Sequence, residues 1–389
     1  MQMASALSNG DAGDSIINDV SAQILAGMNN RPIDLLLLFI SARLLPQFTD
    51  IAAGIRSRTA ARAMLCVTAE SVLGNNAEIE RGLAVAAFAQ SLPGVTIDHF
   101  HLADEEWPEL LGESRTLRAR LDAGPDLRLF IMFGDPFTAP VVQLLDACTR
   151  EFPGAPVIGG MASGISEPGQ TRLMINDAVF SSGLIGVSLS GPVTVDCVVS
   201  QGCRPIGRSL VVSRGHDNVI ELLDDEPAIS VLRGIIQELP VKDRDLVEQR
   251  SVQVGRVIDE RKGNFGPGDF LVRNILGVHR PSSGLLIGDI VQSGQIIQFH
   301  LQDARTAEED LRLLLEGQMQ LGPPPGGALM FSCNGRGTRL FNQPGHDIQT
   351  LHEVLGPIPV AGFFCAGELG PVGGRNFIHG QTVSLALFR

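Results

Sequence analysis

Basic residues are in deficit in this chain: 30 Lys and Arg stand against 43 Asp and Glu, a formal net charge of -13. That balance argues against nucleic acid as the main partner, because phosphate binding needs a basic face. Long hydrophobic runs are missing as well. The longest, Leu83 to Ala89, stops far short of the roughly 18 apolar residues that suggest a membrane span, so no membrane partner is expected. The opening residues, MQMASALSNGDAGDS, have neither a basic start nor an apolar core, so no export signal is expected. The cysteines, Cys66, Cys148, Cys197, Cys203, Cys333 and Cys365, form no C-x-x-C, which argues against a structural zinc site. They are expected as thiols in a reducing cytoplasm. GGMASG and GPVGG lack the spacing of a phosphate or dinucleotide loop, and no metal or other cofactor is expected.

What is present is material for a packed core. Hydrophobic residues make up 44% of 389 positions, and a chain of this length is expected to hold two domains or three. Residues 1–30 read as a flexible start followed by a helix with Ile16, Val20, Ile24 and Leu25 on one side. A strand at 33–40, a helix at 44–56 and a strand at 63–67 then suggest a layered arrangement. Strands at 173–175, 184–189 and 193–199 read as an antiparallel meander. The helix beginning at Pro227 ends near Pro240, and the charged KDRDLVEQR that follows marks a domain boundary. The expected fold is α/β (α+β), with two pseudo-equivalent mixed-sheet domains and flanking helices, at 31–240 and 241–389.

The pseudo-equivalence rests on a repeat. PVIGGMASG (156–164) matches PVAGFFCAG (359–367). Each follows an apolar strand and a helix-like segment, and each leads to a strand containing Val-Ser-Leu, at 187–189 and at 383–385. A duplicated α/β unit accounts for this pattern, since two copies cannot build a solenoid.

The second copy opens into a loop with Gly367, Gly370, Gly373 and Gly374, which displays Cys365, Glu368, Arg375 and Asn376. Glycines let another group approach the backbone closely. Two further loops combine cysteine, glycine and arginine: SQGCRPIG with Cys203 and Arg204, and FSCNGRG with Cys333 and Arg336. Together these eight residues are the candidate ligand-binding set, with the arginines suited to a carboxylate and Arg375 as the anion contact. Otherwise each cysteine is a small buried hydrophobe and each arginine caps a turn or meets an acid. Catalysis by Cys333 or Cys365 would need a base such as His346, His352 or His379, and no nucleophile signature surrounds them. His99 and His101 share a strand face near Asp104 but lack a clear third metal ligand.

The stretches CVTAESVLGNNAEIE (66–80), GDPF (134–137), PVIGGMASG, SQGCRPIG, GDFLVRNILG (268–277), FSCNGRG and PVAGFFCAGELGPVGGRNFIHG (359–380) resemble the FIST family, with paired N- and C-terminal FIST domains. The resemblance implies a sensory protein that binds a small ligand, amino acids or other small carboxylates, and passes a signal to a downstream protein. Some relatives add an F-box; residues 1–30 are too few for one, so an adaptor role of that kind is not expected. The alternatives are a protein-interaction scaffold and a cysteine-dependent enzyme.

Overall fold

The computed structural model describes residues 1–10, 12–112, 114–121, 123–250, 252–266 and 268–389. The fold is α+β. The chain forms two compact units: Met1–Val199, Leu311–Ile378 and Thr382–Arg389 make the first, and Ser200–Asp310 with His379–Gln381 the second. A single cut near residue 240 therefore does not separate them. The middle of the chain is a unit of its own, and both copies of the repeat belong to the first unit.

The first unit contains three six-stranded sheets. In one, Leu35–Ser41 is buried at every position, as its continuous apolar sequence requires of a strand covered on both faces. Leu36, Leu38 and Ile40 pack with Ile16, Val20 and Ile24 of the helix Gly13–Met28. Leu35, Leu37 and Phe39 face the opposite core. The opening residues, expected to be flexible, are a strand: Gln2–Asn9 pairs antiparallel with Ala84–Ser91. Small side chains are needed there, because a Cβ at Gly27 of the overlying helix would come within 2.7 Å of Ala4 Cβ.

The other two sheets hold the repeat in matching order. Val157–Met161 lies parallel to Leu127–Gly134, whose far side pairs antiparallel with Leu184–Ser190. Val360–Cys365 lies parallel to Gly327–Cys333, whose far side pairs antiparallel with Thr382–Phe388. Each copy takes its next strand from the other half of the chain: Glu368–Val372 beside Val157–Met161, and Val72–Gly74 beside Val360–Cys365. The Val-Ser-Leu match does not share this register. Met132 and Met330 are equivalent through their partners Gly159 and Gly362, yet they face Gly186 and Leu385 on the final strands. Ser188 instead faces Phe130, and Ser384 faces Phe331. Phe39, Phe133, Phe331 and Phe363 meet in the shared core, with Phe39 stacked on Phe363 at 5.4 Å.

The expected meander is split among the sheets. Leu173–Ile175 joins the first, Leu184–Ser190 the second and Val195–Gln201 the third. Gly183 and Gly191, both at positive φ, redirect the chain between them.

The second unit is antiparallel. Cys203–His216, Ile296–Gln302, Val252–Val257, Phe270–His279, Gly284–Ile287 and Val219–Leu223 are neighbours in that order. Val219–Leu223 pairs back onto Cys203–His216, so these six strands close into a ring, and Glu226–Pro227 adds a short seventh strand on Val219–Leu223. Phe299, Val254 and Ile297 pack with Leu232 of the helix Ala228–Glu238.

Candidate functional site

Ligands in α/β sheets gather at the carboxyl ends of parallel strands. In the first unit, Gly327–Cys333 and Val360–Cys365 end side by side, with Cys333 opposite Cys365. The chain turns at once after Cys333. The Arg336 N–H donates to the Cys333 carbonyl at 2.9 Å, and the Gly335 N–H donates to Cys333 Sγ at 3.4 Å.

This turn aims Arg336 inward, where its side chain is 0% exposed. Its Nε and Nη2 donate to the Asp347 carboxylate at 2.7 and 2.8 Å. Burial alone would raise the Asp347 pKa, but the Arg336 charge and hydrogen bonds hold it well below the ordinary carboxylate range. Phe341 lies 5.3 Å from the guanidinium and stacks on His346 at 3.5 Å. Arg336 is thus neutralised from within, and its third nitrogen, Nη1, is buried with no hydrogen-bond partner among the described residues.

Two buried glutamates complete the cluster. Glu368 accepts from Thr382 Oγ1 at 2.8 Å and from the Thr382 N–H at 3.4 Å. Burial pushes its pKa up to about 8, against the lowering effects of Thr382, Arg336 and a hydrogen bond with Cys333. Its Oε1 finds no nitrogen or hydroxyl partner among the described residues. Glu78 arrives from the Val72–Ile79 hairpin and accepts the N–H groups of Gly345 and Ile348 at 3.1 and 3.2 Å. It thereby caps the helix His346–Leu355 by accepting its first N–H groups. Burial and then the nearby Asp347 charge raise Glu78 to about 8. Glu80 accepts from the Thr338 N–H at 2.8 Å.

Sequence reasoning missed Glu78, Glu80 and Asp347. The signal for the glutamates was the AEIE run (77–80), with Glu78 on the short strand Ala77–Ile79 and Glu80 just after it, and with partners some 260 positions away.

The other candidate residues are placed as follows. Cys365 is fully buried; burial first, then the Glu368 and Cys333 charges, push its thiol well above the ordinary value. Asn376 is a tie between the copies: its Oδ1 accepts the Val157 N–H at 2.8 Å and its Nδ2 donates to the Ala155 carbonyl at 3.0 Å. Arg375 is half-exposed, 3.4 Å from Asp146, with its guanidinium over Phe377. Arg204 belongs to the second unit, where it meets Asp243 at 2.6 Å and Asp303 at 3.2 Å. Cys203 is buried in the same barrel, opposite Gln302. His101 stacks on Phe180 at 3.7 Å, and no His, Cys, Asp and Glu among the described residues cluster as metal ligands.

The first unit also carries a cleft of about 430 Å³ whose lining includes Leu127, Arg128, Pro156, Asp196, Gly374 and Asn376. Gly373 and Gly374, both at positive φ, turn the glycine loop along its rim. Arg128 is exposed and has no carboxylate partner among the described residues. Asp196 is paired with Arg389. Cys197, also in the lining, stays protonated: burial and then Asp196 raise it to about 12.

A duplicated α+β core with cross-linked halves and a separate barrel defines the class of protein. The FIST N domain matches residues 34–226 and the FIST C domain residues 228–371. The chain belongs to the FIST family. It is 38% identical over 343 residues to the uncharacterized protein Rv0628c of Mycobacterium tuberculosis, 88% of each chain. It is 42% identical over 261 residues to the uncharacterized protein Mb0898c of Mycobacterium bovis, 67% of each chain. FIST domains are associated with sensory and signal transduction. Among the described residues no helix is long and apolar enough to cross a membrane.

Proposed function

We propose that the protein is a cytoplasmic small-ligand sensor that takes an α-amino acid or another small carboxylate and signals to a downstream protein. The observation that carries this reading is the cleft at the glycine loop. Its volume of about 430 Å³ suits a small metabolite, within the roughly 300–1,000 Å³ of ordinary ligand pockets. It offers Arg128, a cation with no carboxylate partner among the described residues, for a carboxylate, and the Asp196 carboxylate, which also holds Arg389, for an ammonium group.

The lining supports a route from binding to signal. Leu127, Arg128 and Pro156 come from the first copy, whereas Gly374 and Asn376 come from the loop that follows the second. A ligand held by both sets would tighten the junction that Asn376 already bridges. Arg375 remains at the loop surface on Asp146, so Arg128 takes the role of anion contact.

The test is a thermal-shift screen of the full chain against amino acids and small carboxylates. A ligand that binds only the folded state raises the melting temperature with concentration. No shift with any member of either class would overturn the reading.

A further inference from the structure

We propose that Cys333 is a reactive-thiol modification site for a small soft electrophile. This site is distinct from the cleft and rests on different residues.

Cys66, Cys148, Cys203 and Cys365 are buried, whereas Cys197 and Cys333 are partly exposed; of these two, Cys333 ends its strand beside Arg336 and Glu368, while Cys197 has burial and Asp196 raising its thiol to about 12. Next to it lie two polar atoms that the fold has sealed from water without giving them a nitrogen or oxygen partner: Arg336 Nη1 and Glu368 Oε1. Arg336 and Glu368 are both 0% exposed. Buried polar groups left in this state are costly, and functional sites are one place where a native fold keeps them. Both residues act on the same thiol. Glu368 shares a hydrogen bond with Cys333, and the Arg336 charge is coupled to the Cys333 sulfur. The Gly335 N–H, 3.4 Å from Sγ, adds a donor toward a developing thiolate.

These groups divide the work of an alkylation. The sulfur attacks the electrophilic carbon and a C–S bond forms, while the bond to the leaving group breaks and its electron pair departs with that group. The thiol proton passes to the ionised fraction of Glu368. That carboxyl titrates near 8, close to the ordinary range of a thiol, so transfer between them is nearly balanced. The buried Arg336 charge stabilises the developing thiolate. Nothing is oxidised or reduced.

The probe is iodoacetamide, which loses iodide, applied to the folded full-length chain near neutral pH and followed by intact mass and peptide mapping. The expected first adduct is a single carbamidomethyl group on Cys333, formed at least about tenfold faster than on a free thiol such as glutathione. Cys333→Ser should abolish that fast phase. Glu368→Gln, which keeps an acceptor for Thr382, should slow it about tenfold at an unchanged melting temperature. A first adduct on another cysteine, or a wild-type rate no faster than the free thiol, overturns the proposal whether or not the variants fold. An unchanged rate in folded Glu368→Gln overturns the role of the carboxylate.

Discussion

Gly159 and Gly362 hold the same place in the two copies of the repeat. A Cβ at Gly159 would lie 1.9 Å from the Met132 carbonyl oxygen, and one at Gly362 would lie 1.7 Å from that of Met330. In both copies the second parallel strand approaches the first so closely that only hydrogen fits.

The first prediction follows from that contact. The obstacle at Gly362 is backbone, which cannot swing aside as a side chain can. Gly362→Ala should destabilise the chain by about 1–3 kcal/mol or more, the range for an overpacked core. Urea unfolding measures it, and a loss within about 0.5 kcal/mol, as at an ordinary surface site, would contradict the close approach.

Arg336 and Asp347 carry the second. Removing one partner of a buried pair leaves the other charge uncompensated, so Asp347→Asn should cost about 3–5 kcal/mol. The effect belongs to stability, measured by chemical denaturation. Wild-type stability in that variant would show that Arg336 is solvated in solution.

Glu78 sets the third. Its folded pKa of about 8 lies above the ordinary value of 4.5, so the folded chain binds the extra proton between them. The stability this contributes is complete below about 4.5 and is lost as the pH rises through about 8. Asp347 works the other way: its contribution is present above the ordinary 3.8 and fades as the pH falls through its depressed folded value. Thermal melts of Glu78→Gln between pH 5 and 9 should therefore show a shallower decline than wild type, because glutamine does not titrate; its single oxygen can accept from only one of the Gly345 and Ile348 N–H groups, which lowers the whole curve without changing its slope. Parallel curves would contradict a buried, protonated Glu78.

Much of the first unit was legible in the sequence, for identifiable reasons. PVIGGMASG and PVAGFFCAG preserve glycine where two strands touch, and a steric requirement of that kind leaves a sequence trace. Val-Ser-Leu misled because a short apolar triplet fits any buried strand and carries no register. The N-terminal strand was hidden by its alanines, weak strand formers chosen here to fit beneath Gly27. The barrel was hidden too, since its closure depends on Val219–Leu223 meeting Cys203–His216 and no local pattern records that pairing. At the candidate site, cysteine, arginine and Glu368 were visible, but Asp347, the partner of Arg336, was assigned by packing. Sequence could not tell that Arg336 is neutralised by Asp347 while Arg128 has no carboxylate partner among the described residues.

The most direct measurement compares ligand affinity in Arg128→Ala and Arg375→Ala, by calorimetry with the carboxylate that gives the largest thermal shift. Loss of a charge-assisted hydrogen bond should weaken binding to Arg128→Ala by about 1.5–3 kcal/mol. Arg375→Ala, whose side chain serves Asp146 and Phe377, should bind as wild type does. Full affinity in Arg128→Ala, with binding lost in Arg375→Ala, would contradict the cleft as the ligand site.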